Sequence, residues 1–236
     1  MKLAVNIDHI VTLREARRHI YPEPVLAALF AEQAGAEGIV CHIRGDRRHI
    51  KERDLHLLKQ TVQTKLNIEM AASEEMKKIA LEIKPDVVSL VPERDEEITT
   101  EGGLDVLSNE GHLRSHIKGL REAGIRVSIF VDPVVKQIDA CERAGVDLIE
   151  INTGKYAEHK PGPQRQEALE EIIKAARHGH GLGLEIHAGH GLDYFNIQPV
   201  AAIPEINEFS IGFAIVARAV IVGIERAVKE MIDLIK

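Results

Sequence analysis

Eight short runs rich in β-branched residues, amphipathic stretches between them, and a mean spacing of about 30 residues per unit predict a closed (βα)8, or TIM, barrel with additional short helices for this 236-residue chain. The runs are Leu3 to Ile7, Gly38 to Ile43, Leu66 to Met70, Val87 to Val91, Val127 to Val131, Leu148 to Ile151, Leu184 to His187 and Phe209 to Gly212. Most are nearly continuous in apolar character, as parallel strands covered on both faces are. The segments Val25 to Ala34, Asp54 to Gln63, Ser73 to Ile83, Asn109 to Ala123, Pro133 to Ala144, Arg165 to Arg177 and Ala217 to Ile235 have helical amphipathicity. Ser73, followed by Glu75 and Met76, marks a helix start, and Gly35, Gly124 and Gly145 each follow the last periodic residue of a helix. The phrases Glu32 to Gly38, Glu122 to Ile125 and Glu142 to Asp147 therefore read alike: helix, glycine stop, turn, strand. An open doubly wound sheet uses the same modules and is the alternative, but eight units favour closure. The last two helices are harder to place, because Pro199 to Pro204 allows only a short one. With no linker rich in Gly, Ser or Pro and no low-complexity segment, a single barrel domain over 1–236 is expected.

Hydrophobic residues make up 44% of the chain and charged residues 28%, which is too apolar for a disordered polymer. The longest apolar stretch, Ile211 to Ile224, carries Arg218 and is shorter than the roughly 20 residues a membrane span needs. Asn6, Asp8, His9 and Arg14 interrupt the beginning of the chain, so no signal core is expected and the mature protein is expected to start at Met1. Cys41 and Cys141 sit inside apolar segments, as buried thiols of a reduced cytoplasmic protein would. A net charge of −7 with 3% aromatic residues argues against a nucleic-acid surface. The unusual count is histidine, at twelve.

In such a barrel the loops after the strands build the active site, so polar residues at strand C-termini carry most weight. In order they are Asn6, Asp8 and His9; His42 and Arg44; Glu69; Glu93; Asp132; Glu150 and Asn152; His187 and His190; and then Gly212. Burying so many ionisable groups without partners would be costly, which points to a built polar pocket. Glu69 lies between apolar neighbours in Leu66 to Ala71, and alternation sets it with Asn67 on the face expected to line the barrel. A carboxylate satisfied by a nearby Arg or amide is an equal reading of that spacing. Glu150 repeats the situation on another strand. Two inward carboxylates favour catalysis, since repulsion and desolvation would raise at least one pKa into the working range.

His42, Arg44, Arg47, Arg48 and His49 crowd the end of the second strand and the loop after it, a composition suited to an anion. His42 and Arg44, nearest the strand end, are read as functional; Arg47 and Arg48 are read as a solvated loop pairing with Glu52 and Asp54. Gly189, Gly191 and Gly212 would let backbone N–H groups approach a phosphate after the last two strands, with His190 at the rim able to move a proton near neutral pH. His178 and His180 sit at a helix end, where a cation favours the dipole, and read as structural. Thr99 to Gly103, in a long connection, suits a lid over bound substrate, and a plain surface loop explains it nearly as well.

Taken together, the phrases Val5 to Ile10, Cys41 to Arg44 with Asp46 to Ile50, Asn67 to Ala71, Thr99 to Val106 and Ala188 to Leu192 resemble the pyridoxine 5'-phosphate synthase (PdxJ) family, and the resemblance runs from Val5 to about Met231. It implies a (βα)8 barrel assembled as a homo-octamer of dimers in the bacterial cytoplasm. The implied reaction condenses 3-amino-2-oxopropyl phosphate with 1-deoxy-D-xylulose 5-phosphate into pyridoxine 5'-phosphate, phosphate and water, the last step of the deoxyxylulose-dependent route to vitamin B6. The same resemblance implies that His42 and Glu69 accept protons, His190 donates one and Glu150 stabilises the transition state. It gives Asn6, Arg17, Gly191, Gly212 and Phe213 to the amino-ketone phosphate, and Asp8, His9, Arg44, His49 and Thr99 to the sugar phosphate. Phe213 departs from the family pattern, which has histidine there; contact through the backbone N–H would tolerate the exchange. The partners expected are small phosphorylated molecules, with no cofactor, metal, nucleic acid or membrane.

Two other functions fit parts of the sequence. A metal-dependent phosphohydrolase or amidohydrolase barrel would use the histidines and inward carboxylates, but it needs three or four converging ligands, commonly with a His-x-His pair on an early strand. Asp8 and His9 are adjacent, so strand alternation would send them apart. A non-catalytic sensor of phosphorylated ligands would use Arg44, Gly191 and Gly212 and leave Glu69 and Glu150 idle.

Overall fold

The structure, a computed structural model, describes residues 1–93 and 102–236. Eight parallel strands close into a barrel in sequence order: β1 (Lys2–Asn6), β2 (Gly38–His42), β3 (Leu66–Met70), β4 (Val87–Leu90), β5 (Arg126–Val131), β6 (Leu148–Asn152), β7 (Glu185–Gly189) and β8 (Ile206–Ile211). Closure is made by β8 on β1, with Leu3 opposite Phe209 and Val5 opposite Ile211. Around the strands lie α1 (Asp8–Arg17), α2 (Pro24–Gln33), α3 (Glu52–Thr61), α4 (Glu74–Ile83), α5 (Val106–Glu122), α6 (Val135–Ala144), α7 (Gly154–Glu158), α8 (Pro163–Gly181), α9 (Ile197–Ala201), α10 (Phe213–Val222) and α11 (Ile224–Ile235).

Alternation along each strand divides the interior into two layers. Leu3, Val5, Ile39, Cys41, Ile68 and Ile149, with their counterparts on the other strands, join the helices in one continuous hydrophobic core between sheet and outer ring. Burying each of these larger side chains contributes about 1.5–3 kcal/mol. The opposite faces point into the barrel and are polar to an unusual degree: Asn67, Ser89, Ser128, Glu150, His187 and Glu208 are all buried. Barrel interiors are more often filled by branched apolar side chains. Polar filling needs partners, and the Ser89 hydroxyl donates to Asn67 Oδ1 at 3.1 Å.

The local signals that mark element ends act as expected. Ser73 Oγ accepts the Met76 N–H at the start of α4, and Gly145 takes the left-handed conformation, φ 84°, that ends α6. Two segments differ from the sequence expectation. Residues after Asn6 form helix α1 instead of a strand-end loop; its buried side chains are Asp8, Val11 and Arg14, so it carries no apolar stripe to betray it. The stretch from Ala217 to Ile235 is two helices, because Gly223 at φ 85° breaks the chain between α10 and α11. The cationic loop after β2 pairs with Glu52 as expected but not with Asp54. Arg47 binds Glu52 and Glu75, Arg48 binds Asp46, and Asp54 is taken by the buried Arg14 at 2.9 and 2.6 Å. Both cysteines are buried and free, and among the described residues no helix is long and apolar enough to cross a membrane.

Candidate active site

The C-terminal mouth of the barrel gathers an acid-rich cluster from four strands. Asn6, the last residue of β1, accepts the Asp8 N–H through Oδ1 (2.9 Å) and reaches Glu69 Oε2 through Nδ2 (3.5 Å). Asp8 then accepts the backbone N–H of His42 at 2.8 Å, which ties α1 to the end of β2. The His42 ring lies between two carboxylates: Nε2 is 2.9 Å from Glu93 Oε1, and Nδ1 is 3.9 Å from Glu69 Oε2, beyond hydrogen-bond length. Burial, reinforced by the charges of Glu150 and Asp8, pushes the Glu69 carboxyl well above the usual range despite the hydrogen bond from Asn6. Glu93 behaves oppositely. Burial would raise it, but hydrogen bonds from His42 and the Gly45 N–H hold it below the ordinary carboxylate value.

Glu150 projects from β6, buried, and burial together with the neighbouring Glu208 raises its pKa to about 8 against the opposing pull of Lys65. Room for it comes from the next strand, since a Cβ on Gly189 would stand 2.2 Å from Glu150 Oε1. His190 follows with φ 76°, a conformation rare for a residue with a side chain. The Thr153 hydroxyl holds this turn against the carbonyls of Gly189 (2.7 Å) and His190 (2.6 Å). The His190 ring is half-buried near Phe130, and burial lowers its pKa.

The rim carries the other residues singled out in the sequence. Gly212 precedes α10, so the N–H groups of its first turn, starting at Phe213, have no intrahelical acceptor. Gly212 also packs directly on Asn6, where an added Cβ would lie 3.1 Å from the Asn6 Cβ. Phe213 is 70% exposed and meets the His9 ring edge-on at 5.3 Å. Gly191, at φ 78°, lies against Ala157. Arg44 is buried, and the His49 ring stands 5.9 Å from that of His42 with Nδ1 accepting the Ile50 N–H. Arg17 is set apart: it is exposed in the last turn of α1, about 13 Å along the helix from Asp8. Thr99 lies outside the described residues, while Gly103, at the end of the same segment, donates its N–H to Asp132 Oδ1 at 2.9 Å.

The structure thus brings His42, Glu69 and Asp8 into contact distance and sets Glu150, Gly189 and His190, from β6 and β7, on the opposite side of the mouth. Glu93, like Asp132, Asn152 and His187, is marked by the sequence as a strand end without a role; its signal was there, and its partner was not. His187, another strand-end candidate, is directed instead toward Glu185 (2.9 Å) and Glu208 (3.5 Å) inside the barrel. Asp8, His42 and Glu69 offer atoms within 4.8 Å of one another, the one group of described residues spaced to hold a metal ion. Two of them are already engaged, Asp8 by the His42 N–H and His42 by Glu93.

The fold resembles solved barrels of distant sequence. The crystal structure of phosphoribosyl anthranilate isomerase from Thermus thermophilus superposes with a TM-score of 0.63 at 12% identity, covering 99% of this chain and 98% of that one. The KGPDC structure from Streptococcus mutans gives 0.65 at 11% identity, covering 99% and 96%. At these identities the likeness fixes the fold alone. Sequence relatives are much nearer: the pyridoxine 5'-phosphate synthase of Synechococcus sp. (strain JA-2-3B'a(2-13)) is 55% identical over 231 residues, 98% of this chain and 97% of its own length. The pyridoxine 5'-phosphate synthase of Geobacter sulfurreducens is 54% identical over 235 residues, 100% of this chain and 98% of its own. The family described as pyridoxal phosphate biosynthesis protein PdxJ matches residues 3–236. By that match and those identities, the chain belongs to the PdxJ family.

Proposed function

We propose that the chain is a pyridoxine 5'-phosphate synthase that condenses 3-amino-2-oxopropyl phosphate with 1-deoxy-D-xylulose 5-phosphate and releases phosphate and water. The observation that carries this reading is the acid–base set in the barrel mouth of a PdxJ chain: His42 beside Glu69, with Glu150 and His190 across the barrel on β6 and at the end of β7. Imine formation and ring closure need protons taken from and returned to neighbouring carbons and oxygens, which suits several groups of different acidity. Glu69, with its raised pKa, is a stronger base than an ordinary carboxylate once ionised. His42 accepts a proton through its ring. His190, whose pKa burial lowers, is a stronger acid than free imidazolium when charged, and that suits a proton donor. Glu150 retains its proton to about pH 8 and can donate a hydrogen bond to oxygen as negative charge develops there.

Two phosphorylated substrates need two anion sites. We assign one to the backbone N–H groups after Gly191 and Gly212, with Asn6 and Phe213 beside them and Arg17 as a further cation. The other is assigned to Arg44 and His49, with Asp8, His9 and Thr99 contacting the sugar. Incubation of the purified protein with both substrates, following pyridoxine 5'-phosphate and free phosphate together, tests the function; formation of neither product overturns it. A metal-dependent hydrolase is not favoured by membership of this family.

The finer expectations are a homo-octamer and a cytoplasmic location. Ile20 and Tyr21 in the connection between α1 and α2, and Val220 and Ile221 on α10, 66–81% exposed, support association through these surfaces, since solvated apolar groups in such numbers suit an interface. Buried free thiols suit a reducing compartment. Sedimentation showing a monomer at micromolar concentration would remove the assembly.

A further inference from the structure

We propose that Glu93 is a positioning residue: it fixes the tautomer of His42, leaving Nδ1, the nitrogen turned toward Glu69, as the one free to accept a proton. The inference rests on the acid–base role given to His42 above.

Glu93 Oε1 lies 2.9 Å from His42 Nε2. An ionised carboxylate can only accept, so Nε2 must carry the hydrogen and a neutral ring then has its lone pair on Nδ1. That nitrogen stands 3.9 Å from Glu69 Oε2, too far for a direct hydrogen bond and close enough for a reacting group to bridge. Glu93 is itself anchored: its second oxygen accepts the Gly45 N–H at 3.1 Å, in the turn just beyond His42. The His42 backbone N–H is held by Asp8. Both the ring and its main chain are thus fixed from outside β2, by a residue following β4 and by one opening α1. The charged or titratable groups around this imidazole are Asp8, Arg44, His49, Glu69 and Glu93. Among them Glu93 is the one within hydrogen-bond length of Nε2. A carboxylate behind an imidazole acts elsewhere by holding the reactive tautomer and orientation.

The geometry makes Glu93→Gln a sharp test. The Gly45 N–H is a donor and must face the amide oxygen, so the amide NH2 must face His42 Nε2. Both hydrogen bonds survive, the shape is kept, and the ring proton is driven to Nδ1. We expect kcat to fall about 10²–10⁴-fold with KM within a few-fold, while the imidazole ¹⁵N signals of His42 change from the Nε2–H to the Nδ1–H pattern. Glu93→Asp keeps an accept-only group and should recover at least part of the lost turnover with the Nε2–H pattern. An unchanged ¹⁵N pattern in Glu93→Gln overturns the proposal, and so does a changed pattern with normal kcat. Failure of the unaltered protein to form product would defeat the functional reading instead, and the nitrogen spectrum, which needs no turnover, would still decide the tautomer.

Discussion

The two ends of the barrel hold similar residues and treat them differently. At the N-terminal floor the carboxylates of Glu208 and Glu185 each have a cation: Lys65 bridges Glu208, with Nζ 2.6 Å from Oε1, and Arg126 meets Glu185 at 2.6 Å. His187 sits between the two acids. Glu185 is consequently held far below the usual carboxylate range, by the hydrogen bond from His187 first and by Arg126, although burial opposes both. At the mouth, Glu69 receives a long hydrogen bond from a neutral amide, and the carboxylates of Glu150 and Asp8 push its pKa upward. Burial penalises charge at both ends. What separates a structural network from a reactive one is whether the compensating cation is built in or left for substrate and proton to supply.

The largest expected effect comes from removing the carboxyl proposed to accept a proton. Glu69→Gln should leave the fold intact and lower kcat about 10²–10⁴-fold with little change in substrate affinity, as steady-state kinetics and calorimetry would reveal; normal turnover would remove Glu69 from the chemistry. The floor should respond in the opposite manner. Lys65→Met strands Glu208 inside the barrel and should cost about 3 kcal/mol of stability in urea unfolding, with kcat retained at a permissive temperature. Equal loss of turnover would mean the two ends are not separable.

A subtler contrast lies in pH. The Glu150 pKa is about 8 in the fold against 4.5 when free, so the folded state prefers the proton. Its stabilising contribution is complete below about pH 4.5 and is lost as pH rises through about 8. Thermal unfolding of Glu150→Gln between pH 5 and 9 should therefore decline less than that of the unaltered chain; parallel curves would contradict the shift. The smallest effect is expected at the rim. Phe213→Ala should change the KM for the amino-ketone phosphate by no more than about twofold, the effect of the roughly 0.5 kcal/mol typical of an exposed side chain, because the proposed contact is the backbone N–H. A tenfold change would assign the ring itself to binding.

Much of the fold could be read directly. β3 runs from Leu66 to Met70 as expected, and the other strands shift by one to three residues at their ends. Helix α1 escaped because its buried positions include Asp8 and Arg14, whose burial makes sense only with Asp54 and the His42 backbone opposite. Of the candidate site, Glu69 and Glu150 were legible through alternation, and the glycines through their place after the last strands. Glu93 was visible only as a polar strand end, since its importance depends on a ring 51 positions away.

The sequence by itself determined the βα repeat, the strand ends that face one mouth, and the residue types gathered there, because period, glycine punctuation and alternation are local properties of the chain. Tertiary structure alone decided which acid is neutralised and which is left reactive. Pairing Glu208 with Lys65, or His42 with Glu93, requires groups 143 and 51 residues apart to meet, and pKa depends on that meeting through desolvation and charge.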